Sequence, residues 1–105
     1  PSATFFVLFA LASGEKHGYA IMQESRKLSE GRFRMGPATL YTTIQRVLHS
    51  GWIKEVSGPE GGDSRRRLYR LTAAGRSVLS LELARMEAVI RKSKSLKLQP
   101  AESRP

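Results

Sequence analysis

The stretch Gly36-Pro37-Ala38-Thr39-Leu40-Tyr41-Thr42-Thr43-Ile44-Gln45-Arg46-Val47-Leu48-His49-Ser50-Gly51-Trp52 carries the reading of the whole chain. Pro37 suits a first helical position, because the N–H it lacks would have no intrahelical partner there. Leu40, Ile44, Val47 and Leu48 follow at i, i+4, i+7 and i+8, one clean amphipathic stripe. Gly51 then ends the helix as a C′ glycine commonly does. At 100° per residue the opposite face holds Thr39, Thr42, Gln45, Arg46 and His49. That face contains no acidic residue, whereas an ordinary solvated helix face mixes signs. Threonine and glutamine can bond base edges or phosphates, and arginine can read guanine with two bonds.

Outward from this helix the elements fall into order. Upstream, Arg32-Phe33-Arg34-Met35 alternates basic and apolar residues and fits a short strand. Before it, His17 to Ser29 reads as a helix with Ile21 and Leu28 seven apart, Tyr19 and Met22 beside them, and Gln23, Glu24, Arg26 and Lys27 on the polar side. Gly31 closes it. His17 is read as the residue that opens this helix, and Tyr19 as a packing residue. Thr4 to Leu11 is apolar nearly all round, which is either a helix buried on several sides or a buried strand.

Downstream, Trp52 to Val56 and Arg67 to Leu71 read as two strands, with Trp52 covering the core at their base. The turn formers Ser57 to Ser64 lie between them, a hairpin with a long, mobile tip. Arg65, Arg66 and Arg67 follow that tip, and Arg70 stands on the second strand. Arginines there reach phosphates or a minor groove, or else keep an edge strand from aggregating. Thr72 is placed to N-cap a last helix. Its apolar positions Leu79, Leu83, Met86 and Ile90 are spaced 4, 3, 4, an a/d-like seam of nearly two heptads, with Leu81 and Val89 widening it. The seam packs either on a second copy or on the first helix. The all-round apolar first helix favours the second copy, since one small domain hardly supplies the cover it needs. The Pro/Ser/Glu tail after Ser95 reads as disordered.

Composition agrees with a polyanion partner. The chain has 105 residues, with 18 Lys plus Arg against 9 Asp plus Glu, a formal charge of +9. Such an excess points to DNA, RNA or an anionic membrane surface. The absence of cysteine excludes a disulfide scaffold and thiolate metal sites. The longest apolar run, Ala3 to Ala12, is about half of the ~20 residues a membrane span requires, and it lacks a basic leader. A soluble cytoplasmic protein, associated with the nucleoid through DNA, is the expectation.

Catalysis fails on inventory. His17 and His49 are far apart, and neither has a second ligand at zinc spacing. Asp63 is the sole aspartate, and Gly58 to Gly62 lacks the Gly-Lys-Ser/Thr ending of a phosphate loop. No catalytic site, metal site or cofactor is expected.

The order helix, helix, short strand, helix, strand, hairpin tip, strand, helix is that of a winged helix-turn-helix domain, mainly α with a small β-hairpin. Residues 1–76 would form that domain, 77–95 a C-terminal dimerisation helix and 96–105 the tail. Within this frame the chain resembles the PadR family of bacterial winged-helix regulators over about residues 5 to 80. Three stretches carry the resemblance: His17-Gly18-Tyr19-Ala20-Ile21; Pro37-Ala38-Thr39-Leu40-Tyr41 with Ile44, Arg46-Val47-Leu48 and Gly51-Trp52-Ile53; and Arg65 to Arg76, which contains Leu71-Thr72-Ala73-Ala74-Gly75. The resemblance implies a homodimer held by the C-terminal helix, a pseudo-palindromic duplex DNA operator and, usually, repression. It also implies that Thr39 and Tyr41 lie at the DNA surface. Ala38 stands where many members have glycine, and the short last helix leaves any small-molecule effector unassigned.

Overall fold

A computed structural model describes residues 2–56 and 67–98. Seven elements follow one another: α1 (Ala3–Leu11), β1 (Lys16–His17), α2 (Gly18–Leu28), α3 (Pro37–His49), β2 (Ile53–Val56), β3 (Leu68–Leu71) and α4 (Ala73–Lys94). The three strands form one antiparallel sheet in the order β1-β3-β2, with Ile53 opposite Leu71, Val56 opposite Leu68 and Lys16 opposite Tyr69. Helix-turn-helix and wing are both present, and the fold is a winged helix.

Helix α1 is the centre of the core. Ser2 caps it by accepting from the Phe5 N–H at 3.2 Å. Phe5, Phe6, Val7, Leu8, Ala10 and Leu11 are all buried among α2, α3, α4 and β3. The expectation that one chain could not cover this helix therefore does not hold, because α1 is enclosed by four other elements of the same protomer. The buried Ser25 hydroxyl of α2 ties to it by donating to the Phe6 carbonyl at 3.3 Å.

The stretch 32–35 is not a strand. The alternation is real: Met35 is buried, Phe33 stacks on Phe6 with ring centroids 4.9 Å apart, and Arg32 and Arg34 are exposed. It pairs with no strand, however: the central strand β3 is flanked by β2 and by β1, a two-residue strand too short to leave a periodic signal. Tyr19 is not a packing residue either; it is 66% exposed. Two residues are 200° of helix, so Tyr19 lies nearly opposite the buried Ile21.

Helix α3 ends in a Schellman motif: the Gly51 N–H donates to the Leu48 carbonyl and the Trp52 N–H to the Val47 carbonyl, both at 3.0 Å, with Gly51 at φ +78°. Helix α4 starts against the same spot. The Thr72 N–H donates to the Trp52 carbonyl at 3.0 Å, its hydroxyl donates to the Gly51 carbonyl at 2.6 Å, and that hydroxyl oxygen accepts from the Gly75 N–H at 3.1 Å. Gly75 is required sterically, since a Cβ there would sit 1.9 Å from the Trp52 carbonyl oxygen. The Leu71-Thr72-x-x-Gly75 sequence is thus a joint: Leu71 enters the core, Thr72 caps, and Gly75 lets the helix touch the wing base.

Candidate nucleic-acid interface

The exposed side of α3 carries all six residues expected on it. Thr39, Tyr41, Thr42, Gln45, Arg46 and His49 are exposed, while Leu40, Thr43, Ile44 and Val47 are buried. Thr39, Thr42 and Arg46 come together along one shallow depression with Ala3, Ala38 and Thr43. Gln45 and His49 continue the face toward the helix C-terminus. Tyr41 stands at the other edge and leans on α2, where a Cβ added to Gly18 would lie 3.3 Å from its hydroxyl and 3.2 Å from Leu40. Glycine at position 18 is what allows α2 to sit this close to α3. No carboxylate lies on the α3 face, and Arg46 forms no ion pair among the described residues.

The wing base is electrostatically different. Arg67 approaches Glu55 of β2 at 3.7 Å, and Arg70 is bonded to Glu15 through its Nε at 2.7 Å. Both pairs are exposed, so they orient the guanidinium groups more than they stabilise the fold. Between them, burial holds the Tyr69 phenol above its ordinary pKa; Glu55 pushes in the same direction and Arg67 opposes it. These influences favour the neutral phenol. Arg65 and Arg66, with the hairpin tip, lie outside the described residues.

Four residues at the edge of this surface carry no functional expectation from the sequence: Tyr19, Gln23, Arg26 and Arg34 line one depression with Met22 and Met35. The i, i+4, i+7 spacing of Tyr19, Gln23 and Arg26 is the signal that marks them. On α4, the four seam residues divide. Leu79 is 5% exposed and lies in the chain's own core, and Met86 packs against that core. Leu83 and Ile90 are 37% and 55% exposed, with Leu81 and Val89 exposed beside them. The unbroken helix begins at Ala73, so a division at 76/77 falls inside its first turns. Among the described residues no group of His, Cys, Asp and Glu is arranged to hold a metal ion, and no helix is long and apolar enough to cross a membrane.

Comparison with known proteins gives this surface its context. The family model of the transcriptional regulator PadR-like family matches residues 7–81. The chain belongs to that family. PadR-like proteins are transcriptional regulators, not enzymes. The transcriptional regulator Rv3488 of Mycobacterium tuberculosis is 37% identical over 86 residues, 81% of this chain and 76% of that protein. A transcriptional regulator from Clostridium thermocellum superimposes with a TM-score of 0.71 at 25% identity, covering 90% of this chain and 89% of that one. PadR of Bacillus subtilis, solved in complex with operator DNA, shares the fold at a TM-score of 0.66 and 21% identity; 76% of this chain covers 45% of that one. The PadR-like match spans α2, α3, the wing strands and the start of α4, the elements joined by Gly18, Gly51 and Gly75.

Proposed function

We propose that this PadR-like chain binds a duplex DNA operator sequence-specifically as a homodimer and represses transcription. The observation that carries the reading is the acid-free exposed face of α3, Thr39, Thr42, Gln45, Arg46 and His49, on a helix whose other side is fully committed to the core. Such a helix is suited to a major groove, with Arg46 and Gln45 reading base edges and Thr39 and Tyr41 meeting the backbone. Arg65, Arg66 and Arg67 of the wing are assigned to sequence-independent phosphate contacts. The operator complex of Bacillus subtilis PadR supports the same use of the fold.

The homodimer is supported by α4. Leu83 and Ile90, continued by Val89 and Leu81, form an apolar surface that the protomer leaves open. Two winged helices related by a two-fold axis would meet successive major grooves about 34–36 Å apart. A location in the cytoplasm follows from this role.

Selection of bound sequences from random duplex DNA, followed by competition with structured RNA, tests the reading. The expected result is a two-fold symmetric consensus that outcompetes RNA. Preference for RNA over every duplex, the chain's own promoter included, would overturn it. Thr42→Ala, Gln45→Ala or Arg46→Ala should change the consensus, each base-edge interaction removed being worth about 1–3 kcal/mol.

A further inference from the structure

Two arginines at the wing base are held by carboxylates, and they are held differently. Arg70 meets Glu15 through both Nε and Nη2, the Nε at 2.7 Å. Arg67 comes no closer to Glu55 than 3.7 Å, which is longer than a hydrogen bond, and both side chains are about half exposed. The first pair is firm and the second is loose.

The register of the sheet places the two pairs on opposite faces. Glu55 lies opposite Tyr69, and Arg67 stands two residues before Tyr69, so all three share one face of the sheet. Arg70 falls on the other face. Tyr69 is buried, and Tyr41, at the edge of the α3 face, is near enough to act on it electrostatically. The loose pair is therefore on the side of the wing turned toward α3. Glu55 brings a carboxylate to the border of a reading face that has none of its own.

A duplex seated on α3 would carry its backbone past this border. Phosphate and Glu55 would then compete for one guanidinium. An exposed ion pair is weakly held, whereas phosphate offers arginine two parallel charge-assisted bonds, so Arg67 would change partner. The exchange has two costs: the pair is lost, and the Glu55 carboxylate is left without its counter-ion beside a polyanion. Neither cost depends on the bases, so both lower affinity on any sequence.

We infer that Glu55 is a positioning residue that holds Arg67 in the free protein and acts as a brake on its phosphate contact. This rests on the DNA-binding reading above. Arg67 supplies the sequence-independent contact, and Glu55 sets how much of it is realised. On a chain of formal charge +9 such a brake shortens residence on non-cognate DNA while leaving base reading to α3.

The test uses the full chain, a duplex recovered by selection and a shuffled duplex of the same composition, titrated by fluorescence anisotropy at one fixed salt concentration. Glu55→Gln should bind both duplexes roughly two- to fivefold more tightly, the range an exposed ion pair commands, with the preference between them unchanged. Arg67→Gln should weaken both. With Arg67→Gln already in place, Glu55→Gln should gain distinctly less than it does in the parent, because no guanidinium is left to release. Glu15→Gln changes the net charge by the same amount, frees an arginine on the other face and should also gain less. A merely structural role for Glu55 would not tighten binding at all. Parent affinity in Glu55→Gln would overturn the brake. Equal gains from Glu15→Gln and Glu55→Gln, or a gain undiminished by Arg67→Gln, would overturn it by reducing the effect to net charge. A gain confined to the selected duplex would overturn it by making Glu55 part of base reading. A parent chain that binds neither duplex would remove the DNA reading itself, and the brake with it.

Discussion

Helix α3 keeps its apolar stripe inside the protomer from Leu40 to Val47, whereas α4 buries Gly75 and Leu79 and then carries Leu83, Val89 and Ile90 into solvent. Both are long amphipathic helices with well-made starts. They differ in how much of their length the body needs. In α3 the stripe Leu40, Ile44 and Val47 is used locally, so its polar face is what is left for a partner. In α4 Gly75 and Leu79 are buried and Met86 still packs on the body, but Leu83, Val89 and Ile90 are not used there, so in this helix it is apolar residues that are left. One helix offers hydrogen-bond donors, the other hydrocarbon, and the two suit different kinds of partner.

The sharpest way to break this comparison is at the root of α4. Gly75→Ala places a methyl group on the Trp52 carbonyl and should cost roughly 3 kcal/mol or more, or prevent folding. Ala84→Gly, in the exposed half, should cost only about 1 kcal/mol of helix propensity. Thermal unfolding of the two variants side by side checks the contrast, and equal losses would mean that the root is not anchored as described.

Next in size is Leu79→Ala, a truncation in the core, expected to cost about 2–5 kcal/mol in denaturant unfolding. Leu83→Asp should leave the isolated body folded and instead convert dimers to monomers in sedimentation, because it sets an unpaired charge on the open apolar surface. A Leu83→Asp chain that stays dimeric would show that the surplus length of α4 is not the interface.

Thr72→Ala removes the acceptor for the Gly75 N–H and the hydroxyl on the Gly51 carbonyl, and should cost about 1–2 kcal/mol. Gly51→Ala forces an L side chain to φ +78° at the end of α3 and should cost about 1 kcal/mol in the same unfolding assay. The smallest effect is a pH effect. The Tyr69 phenol is raised in the folded chain, so the neutral form favours folding; this contribution is complete below the ordinary phenol pKa and is lost as pH climbs through the folded value. Stability should therefore fall more steeply above about pH 10 than in Tyr69→Phe, as unfolding curves at stepped pH would show.

Much of the fold is legible because α3 states its orientation completely: a four-residue apolar stripe, a proline start and a glycine end leave one way to place it. The same clarity holds for Thr72, whose cap is observed as expected. The seam of α4 is less legible for a physical reason. A 4, 3, 4 spacing reports that one side of a helix is apolar, not whose surface covers it, and here Leu79 and Met86 turn to their own core while Leu83 and Ile90 do not. Tyr19 misleads by its chemistry: a large ring suggests burial, but its angle from Ile21 puts it outside. The alternation at 32–35 is sound as a record of in and out and silent about pairing partners. β1 owes its existence to β3 rather than to its own two residues.

The joint at Trp52 has a geometric consequence. One backbone carbonyl receives the start of α4 while the N–H of the same residue closes the end of α3, so the two helices share a pivot with little independent play. Pairing of two α4 helices would then work like the setting of a pair of callipers. With 22 residues α4 is about 33 Å long, and a tilt of about 5° along that length displaces its far end by roughly 3 Å, close to the rise of one base pair. How the long arms close would set the distance between the two reading heads, and so the spacing of half-sites, without altering any residue that touches a base.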